Sequence, residues 1–159
     1  MKKYKVGYTA GVYDMFHIGH LNLLKKAKEQ CDYLIVAVST DELVMKSKNK
    51  KPIIPFEERK AIVEAIKYVD MVVPQIDKDK FGAWEKYHFN AMFVGDDWKG
   101  KPLFMEAEKK LKEVGTDVVY FPYTKHISST ILREKLKNKE NTQTEFKKKF
   151  EKDDEENER

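Results

Sequence analysis

Short apolar runs alternate along this chain with stretches in which apolar positions recur every three or four residues. Val6 to Val12 and Tyr33 to Ser39 read as strands, the second apolar on both faces. Met71 to Pro74, Ala91 to Gly95 and Asp117 to Phe121 read as three shorter strands. Helical spacing runs from Leu21 to Ala27, Phe56 to Val69, Phe81 to His88, Leu103 to Val114 and Ser128 to Leu136. Glu57 and Glu58 fall where the helix dipole favours acid, and Gly115 is placed to close the fourth helix. Strands apolar on both faces, each followed by a helix, predict an α/β fold. The expected form is a Rossmann-like, doubly wound sheet of five parallel strands with helices on both faces. Ligands bind such sheets off the carboxyl ends of the strands, where strand order reverses. Residues 10–20, 95–101 and 122–130 should meet there, and these stretches are rich in Gly, Asp, His, Ser, Thr and Trp.

Chemistry concentrates in His17-Ile18-Gly19-His20, where the first strand hands over to a helix. At a separation of three, two helical side chains share a face about 5–6 Å apart at Cβ. Gly19 leaves room for a ligand near the backbone, and a helix start offers unpaired N–H groups and a positive dipole end. The platform suits a polyphosphate. A zinc site is not expected, because no third or fourth ligand follows at suitable spacing. The single cysteine, Cys31, falls at the end of the first helix in an apolar setting and reads as packed.

Composition narrows the picture. At 159 residues the chain is one domain with room for a core. Residues 1–137 form it, and 138–159 read as a charged, disordered tail with eight Asp/Glu against six Lys/Arg. The net charge of +4 suits a small anionic substrate and is too low to predict nucleic-acid binding. No run approaches the ~20 apolar residues of a membrane helix, so no stable membrane insertion is expected. Met1-Lys2-Lys3 leads into a strand rather than a signal sequence, and a lone cysteine fits a reducing compartment, so the expected location is cytoplasmic.

Further residues carry a resemblance. Gly11-Val12-Tyr13-Asp14-Met15-Phe16-His17-Ile18-Gly19-His20 is followed in order by Ser39-Thr40-Asp41-Glu42, Glu58-Arg59-Lys60, Lys67-Tyr68-Val69-Asp70 and Gly95-Asp96-Asp97-Trp98-Lys99-Gly100-Lys101. Over residues 5–136 this resembles the cytidylyltransferases of the HxGH nucleotidyltransferase superfamily, and most of all their bacterial glycerol-3-phosphate branch. The resemblance implies CMP transfer from CTP to a phosphorylated alcohol, with Mg²⁺ accompanying the nucleotide and a homodimer as the assembly. Phosphocholine, phosphoethanolamine or another phosphorylated acceptor, adenylyl transfer, and a weakly catalytic CTP-binding regulator are the alternatives.

By resemblance His17, His20, Lys46 and Lys67 are catalytic, Lys67 standing where the family usually has arginine. Lys46 and Lys48 fall in a polar stretch read as a loop, 46–51, and the residues alone do not choose which meets phosphate. Val12, Tyr13, Asp14, Gly19, Lys48, Gly95, Asp96, Asp97, Trp98, Tyr123, Thr124, Ile127, Ser128, Ser129 and Thr130 are the implied CTP contacts. Asp14, Arg59 and Lys80 are the implied acceptor contacts. Asp14 reads equally as a turn residue, and Arg59 as a partner of Glu57, Glu58 or Glu64. Residues 122–130 depart from the family pattern: Tyr123 replaces an arginine, with Lys125 or His126 as candidates to restore its charge.

Overall fold

The computed structural model describes residues 2–122, 124 and 127–139, with only the backbone of Asp97. Its elements run β1 (Tyr4–Gly11), α1 (Ile18–Gln30), β2 (Cys31–Ser39), α2 (Asp41–Lys48), α3 (Phe56–Glu64), β3 (Met71–Gln75), α4 (Lys80–Tyr87), β4 (Ala91–Gly95), a 3₁₀ turn (Asp96–Trp98), α5 (Pro102–Glu113) and β5 (Asp117–Phe121). A last helix, α6, spans 129–139. All five strands pair in parallel in the order β3-β2-β1-β4-β5. Strand order therefore reverses between β1 and β4, as the alternation of apolar runs predicts.

The period-two pattern of β2 explains both layers. Leu34, Val36 and Val38 pack with Leu24 and Ala27 of α1 and Val63 of α3 on one face. Ile35 and Ala37 pack with Phe104 and Leu111 of α5 on the other. Gly7, on the central strand, lets the layers close: a Cβ there would stand 2.5 Å from the Phe93 ring and 2.8 Å from Cys31 Sγ. Cys31 is buried as expected, but it opens β2. Among the described residues no helix is long and apolar enough to cross a membrane.

Two elements depart from the sequence reading. The helix from Phe56 stops at Glu64, and tighter bonds follow, from Ile66 N to Val63 O and from Val69 N to Ile66 O. The stretch 46–51 is only partly a loop, because Lys46 and Lys48 lie in the last turn of α2. Thr40 caps that helix by accepting from Leu43 N, Asp41 and Glu42 occupy its first turn, and Asn49 ends it in the left-handed conformation at φ 55°. Tail residues 140–159 lie outside the described part of the chain.

Candidate active site

The two histidines cap their own helix. After β1 the backbone turns through left-handed Tyr13 (φ 55°) and Met15 (φ 49°) and brings His17 to the N-cap of α1. Its Nδ1 accepts from Gly19 N at 3.0 Å, and His20 Nδ1 accepts from His17 N at 3.2 Å. This is a reciprocal capping box built from imidazoles instead of the usual hydroxyl and carboxylate. The rings stack with centroids 3.8 Å apart. Because each Nδ1 is an acceptor, each neutral ring carries its proton on Nε2. The pair thus presents two Nε2–H donors side by side. Burial, and then the neighbouring His17, push His20 down to about 3, and burial lowers His17 as well. Both rings are neutral donors near pH 7. Gly19 preserves the arrangement, since a Cβ would meet the His17 ring at 2.8 Å.

A cavity of about 780 Å³ opens before this pair at the carboxyl ends of the strands. One wall is the start of α6, where Ser129 and Thr130 line the space and Ser129 Oγ donates to Asp14 O at 2.6 Å. Thr124 and Ile127 line it too, and Asn22 Nδ2 donates to Thr124 Oγ1 at 3.3 Å. Ser128 does not line the cavity; its hydroxyl accepts from Ile131 N at 3.1 Å and caps α6. A second wall contains Gly95 and Trp98, the indole stacked on Phe104 at 5.6 Å with Lys101 Nζ 4.7 Å from its ring centre. A third is cationic, with Lys48, Lys50, Lys78, Lys80 and Arg133. Lys80 opens α4, its ammonium lying 6.0 Å from the centre of the Phe104 ring. Burial, and then Lys78, push it down to about 8.

Several expected site residues have other work. Arg59 is fully buried and does not line the cavity. It donates from Nε to Ile54 O at 2.8 Å, from Nη1 to Val12 O and Ser39 O at 2.7 Å each, and from Nη2 to Asp41 at 2.7 Å. It is a brace for the ends of β1 and β2, not an acceptor contact, and its acidic partner comes from α2 and not from its own helix. Asp14 lines the cavity but is 2 % exposed. Its carboxylate accepts from Ile53 N at 2.8 Å and Ile54 N at 2.9 Å and pairs with Arg133. Burial alone would raise its pKa, but these bonds hold it below the usual carboxylate range.

Lys67 is exposed in the turn before β3, at the amino end of the strands, with its Nζ 5.3 Å from the Tyr68 ring centre. The chain places it at the end of the strands opposite the cavity, which β3 reaches with Gln75 at its carboxyl end. Lys46 and Lys48 are both exposed, and of the two candidate lysines Lys48 lines the cavity while Lys46 does not. Asp96 opens the 3₁₀ turn, exposed and off the wall. Tyr123, Lys125 and His126, and the side chain of Asp97, lie outside the described residues. Val12 and Tyr13 line the cavity as expected, with Tyr13 buried.

Asn22, Lys26, Lys50, Lys78 and Arg133 are cavity residues that the sequence reading missed. Arg133 had a signal: it follows Ser129 by four and Thr130 by three, so all three share a helix face. Among the described residues no three His, Cys, Asp or Glu side chains gather closely enough to hold a metal ion. The cavity lining holds more Lys and Arg than Asp and Glu, and its acids, Asp14, Asp79 and Glu106, do not gather, so it fits phosphate and does not by itself fit Mg²⁺.

Comparison with known proteins agrees with this geometry. Residues 8–135 match the family described as cytidylyltransferase-like. A glycerol-3-phosphate cytidylyltransferase of Bacillus subtilis is 38% identical over 135 residues, covering 80% of this chain and 94% of that protein. The enzyme of that name from Bacillus spizizenii is 40% identical over 129 residues, covering 80% and 94%. An FAD synthase of Thermococcus sibiricus is 32% identical over 123 residues, covering 77% and 82%. Among solved structures, a lipopolysaccharide core biosynthesis protein of Thermoplasma volcanium superposes with a TM-score of 0.64 at 25% identity, covering 78% of this chain and 99% of that one. With its family match spanning most of the sequence and its histidine pair at the strand-order reversal, this chain belongs to the cytidylyltransferase-like family.

Proposed function

We propose that this protein transfers CMP from CTP to glycerol 3-phosphate, giving CDP-glycerol and pyrophosphate. An oxygen of the acceptor phosphate attacks the α-phosphorus of CTP, and the bond from that phosphorus to the bridging oxygen breaks. Pyrophosphate departs with the electron pair. A phosphate monoester loses its second proton with a pKa of about 6, so the nucleophile needs no general base at neutral pH. What the reaction needs is positioning and stabilisation of charge on the transferring group.

The observation that carries this reading is the stacked pair, His17 and His20. With both Nδ1 atoms engaged by backbone N–H groups, it aims neutral Nε2–H donors at one place. Neutral donors hold developing charge without binding the pyrophosphate product as an ion pair. Ser129, Thr130 and the start of α6 complete the anion site, with Lys48 and Lys80 on its cationic side. The acceptor follows from the named relatives. Mg²⁺ belongs to this reading as the companion of the nucleotide, the assembly as a homodimer and the location as the cytoplasm.

The test is pyrophosphate release from CTP with glycerol 3-phosphate, with phosphocholine and phosphoethanolamine in parallel and Mg²⁺ present or chelated. The FAD synthase likeness favours one second reading, adenylyl transfer. Competition between CTP and ATP in the same assay separates the two. Sedimentation of the protein tests the dimer.

A further inference from the structure

Gln75 ends β3 and lines the cavity, yet it is buried, with 8% of the residue exposed. Its register partner at the end of β2 is Ser39, 4% exposed, whose hydroxyl donates to Gln75 Oε1 at 2.7 Å. The backbone of the pair is tied down as well: Thr40 N donates to Gln75 O at 3.1 Å, and Arg59 Nη1 donates to Ser39 O. With its oxygen engaged, the amide keeps two N–H donors on Nε2, and among the described residues nothing accepts from them. No side-chain nitrogen closed off from solvent lacks a partner among the described residues, so Nε2 opens on the cavity. An uncharged donor is thus held in place toward a ligand.

Topology separates this donor from the nucleotide wall. The histidine pair and the start of α6 stand where strand order reverses, between β1 and β4, and Gly95 and Trp98 continue that wall on the β4 side. Ser39 and Gln75 lie on the other flank of β1, at the ends of β2 and β3. Lys48, Lys50 and Lys78 enter the cavity from the segments that follow these two strands. This flank offers cations for a phosphate and a neutral donor for an oxygen. The acids beside it are engaged: Asp14 with Ile53 N, Ile54 N and Arg133, and Asp79 as the cap of α4, accepting from Gly82 N.

We infer that Gln75, positioned by Ser39, recognises an uncharged hydroxyl of the acceptor and so favours a polyol phosphate over an alkyl phosphate. The inference deepens the nucleotidyl-transfer reading and rests on it. A hydroxyl satisfies Nε2, whereas an alkyl chain leaves that donor unpaired.

The test compares glycerol 3-phosphate with propyl phosphate, which keeps the carbon chain and the phosphate but lacks the hydroxyls, at saturating CTP. Wild-type protein should favour glycerol 3-phosphate in kcat/KM. One neutral hydrogen bond is worth about three- to tenfold, so Gln75→Leu should lower that preference by this factor, chiefly through KM for glycerol 3-phosphate. Its calorimetric Kd for CTP should stay at the wild-type value. Ser39→Ala, which keeps the amide and removes its anchor, should lower the preference less. A leucine variant that loses the same factor with both acceptors, or that weakens CTP instead, overturns the inference, because a structural or nucleotide-binding role acts in that way. A wild type that uses both acceptors equally overturns it and leaves the transfer reading standing. A wild type that binds CTP and transfers to neither defeats that reading, and the inference falls with it. Where the leucine variant fails to fold, Gln75→Asn, which withdraws the amide by one methylene, decides in the same way.

Discussion

Replacing Arg59 with alanine should make the protein melt earlier without singling out substrate binding. The guanidinium is fully buried and serves three main-chain carbonyls, Val12, Ser39 and Ile54, besides the Asp41 carboxylate. Removing it orphans three acceptors at the ends of β1 and β2 and in the segment before α3. An orphaned buried polar group costs about 1–3 kcal/mol, and breaking a buried charge pair from one side about 3–5 kcal/mol. Asp41 is 41% exposed, and water entering the vacated space recovers part of the loss, so the sum lies at about 3–5 kcal/mol. In a domain of this size each kcal/mol moves the melting midpoint by about 2–4 °C, which predicts a fall of about 12 °C. Arg59→Lys offers three donors without the fork and should fall about half as far. Thermal unfolding by circular dichroism, run beside steady-state kinetics with CTP and acceptor, reads both quantities. An alanine variant with the wild-type midpoint and a raised KM for the acceptor alone would refute the reasoning and return Arg59 to ligand contact.

Gly19→Ala places a methyl group 2.8 Å from the His17 ring, while alanine favours the helix by about 1 kcal/mol. The melting midpoint should hold or rise, while kcat falls by about 100-fold as the ring is displaced; unchanged kcat would contradict the account. His20 titrates at about 3 when folded, below the 6.5 of an ordinary histidine, so the unfolded chain takes up a proton that the folded one refuses. Stability should therefore decline as pH falls from 6.5 towards 3. His20→Gln, which keeps a side chain able to complete the capping box, should flatten that decline and abolish transfer, as read from urea midpoints across pH. Lys80, at about 8, loses its charge as pH rises through that value, so kcat/KM should fall there and Lys80→Arg should remove the fall. Over the same window, from about 8 to 10.5, Lys80 predicts rising stability, because only the unfolded lysine still holds its proton.

What the sequence made legible was periodic. The two-faced apolar pattern of residues 33–39 specified a sheet covered on both sides, and the five strands fell where the runs lay. The His17–His20 spacing placed both rings on one helix face, although their role as each other's caps needed coordinates. The helix at Asp41–Lys48 was hidden because it buries only Leu43 and Val44, too little to stand out in a polar stretch. Arg59 was misread because arginines are rarely buried without partners, and its partners are main-chain carbonyls that no side-chain pattern announces. Lys67 was misplaced because a motif fixes residue order and not the end of the strands at which a turn falls. Lys50 and Lys78 reach the cavity from connections after α2 and after β3, and their convergence is a property of the topology.

The most direct test of the central claim is pyrophosphate release from CTP and glycerol 3-phosphate by wild-type protein and by His20→Gln. The account predicts release by the wild type, coupled to CDP-glycerol formation, and its loss in a variant that remains folded. Undiminished release by the folded variant would contradict the claim that the neutral histidine pair stabilises the transferring phosphoryl group.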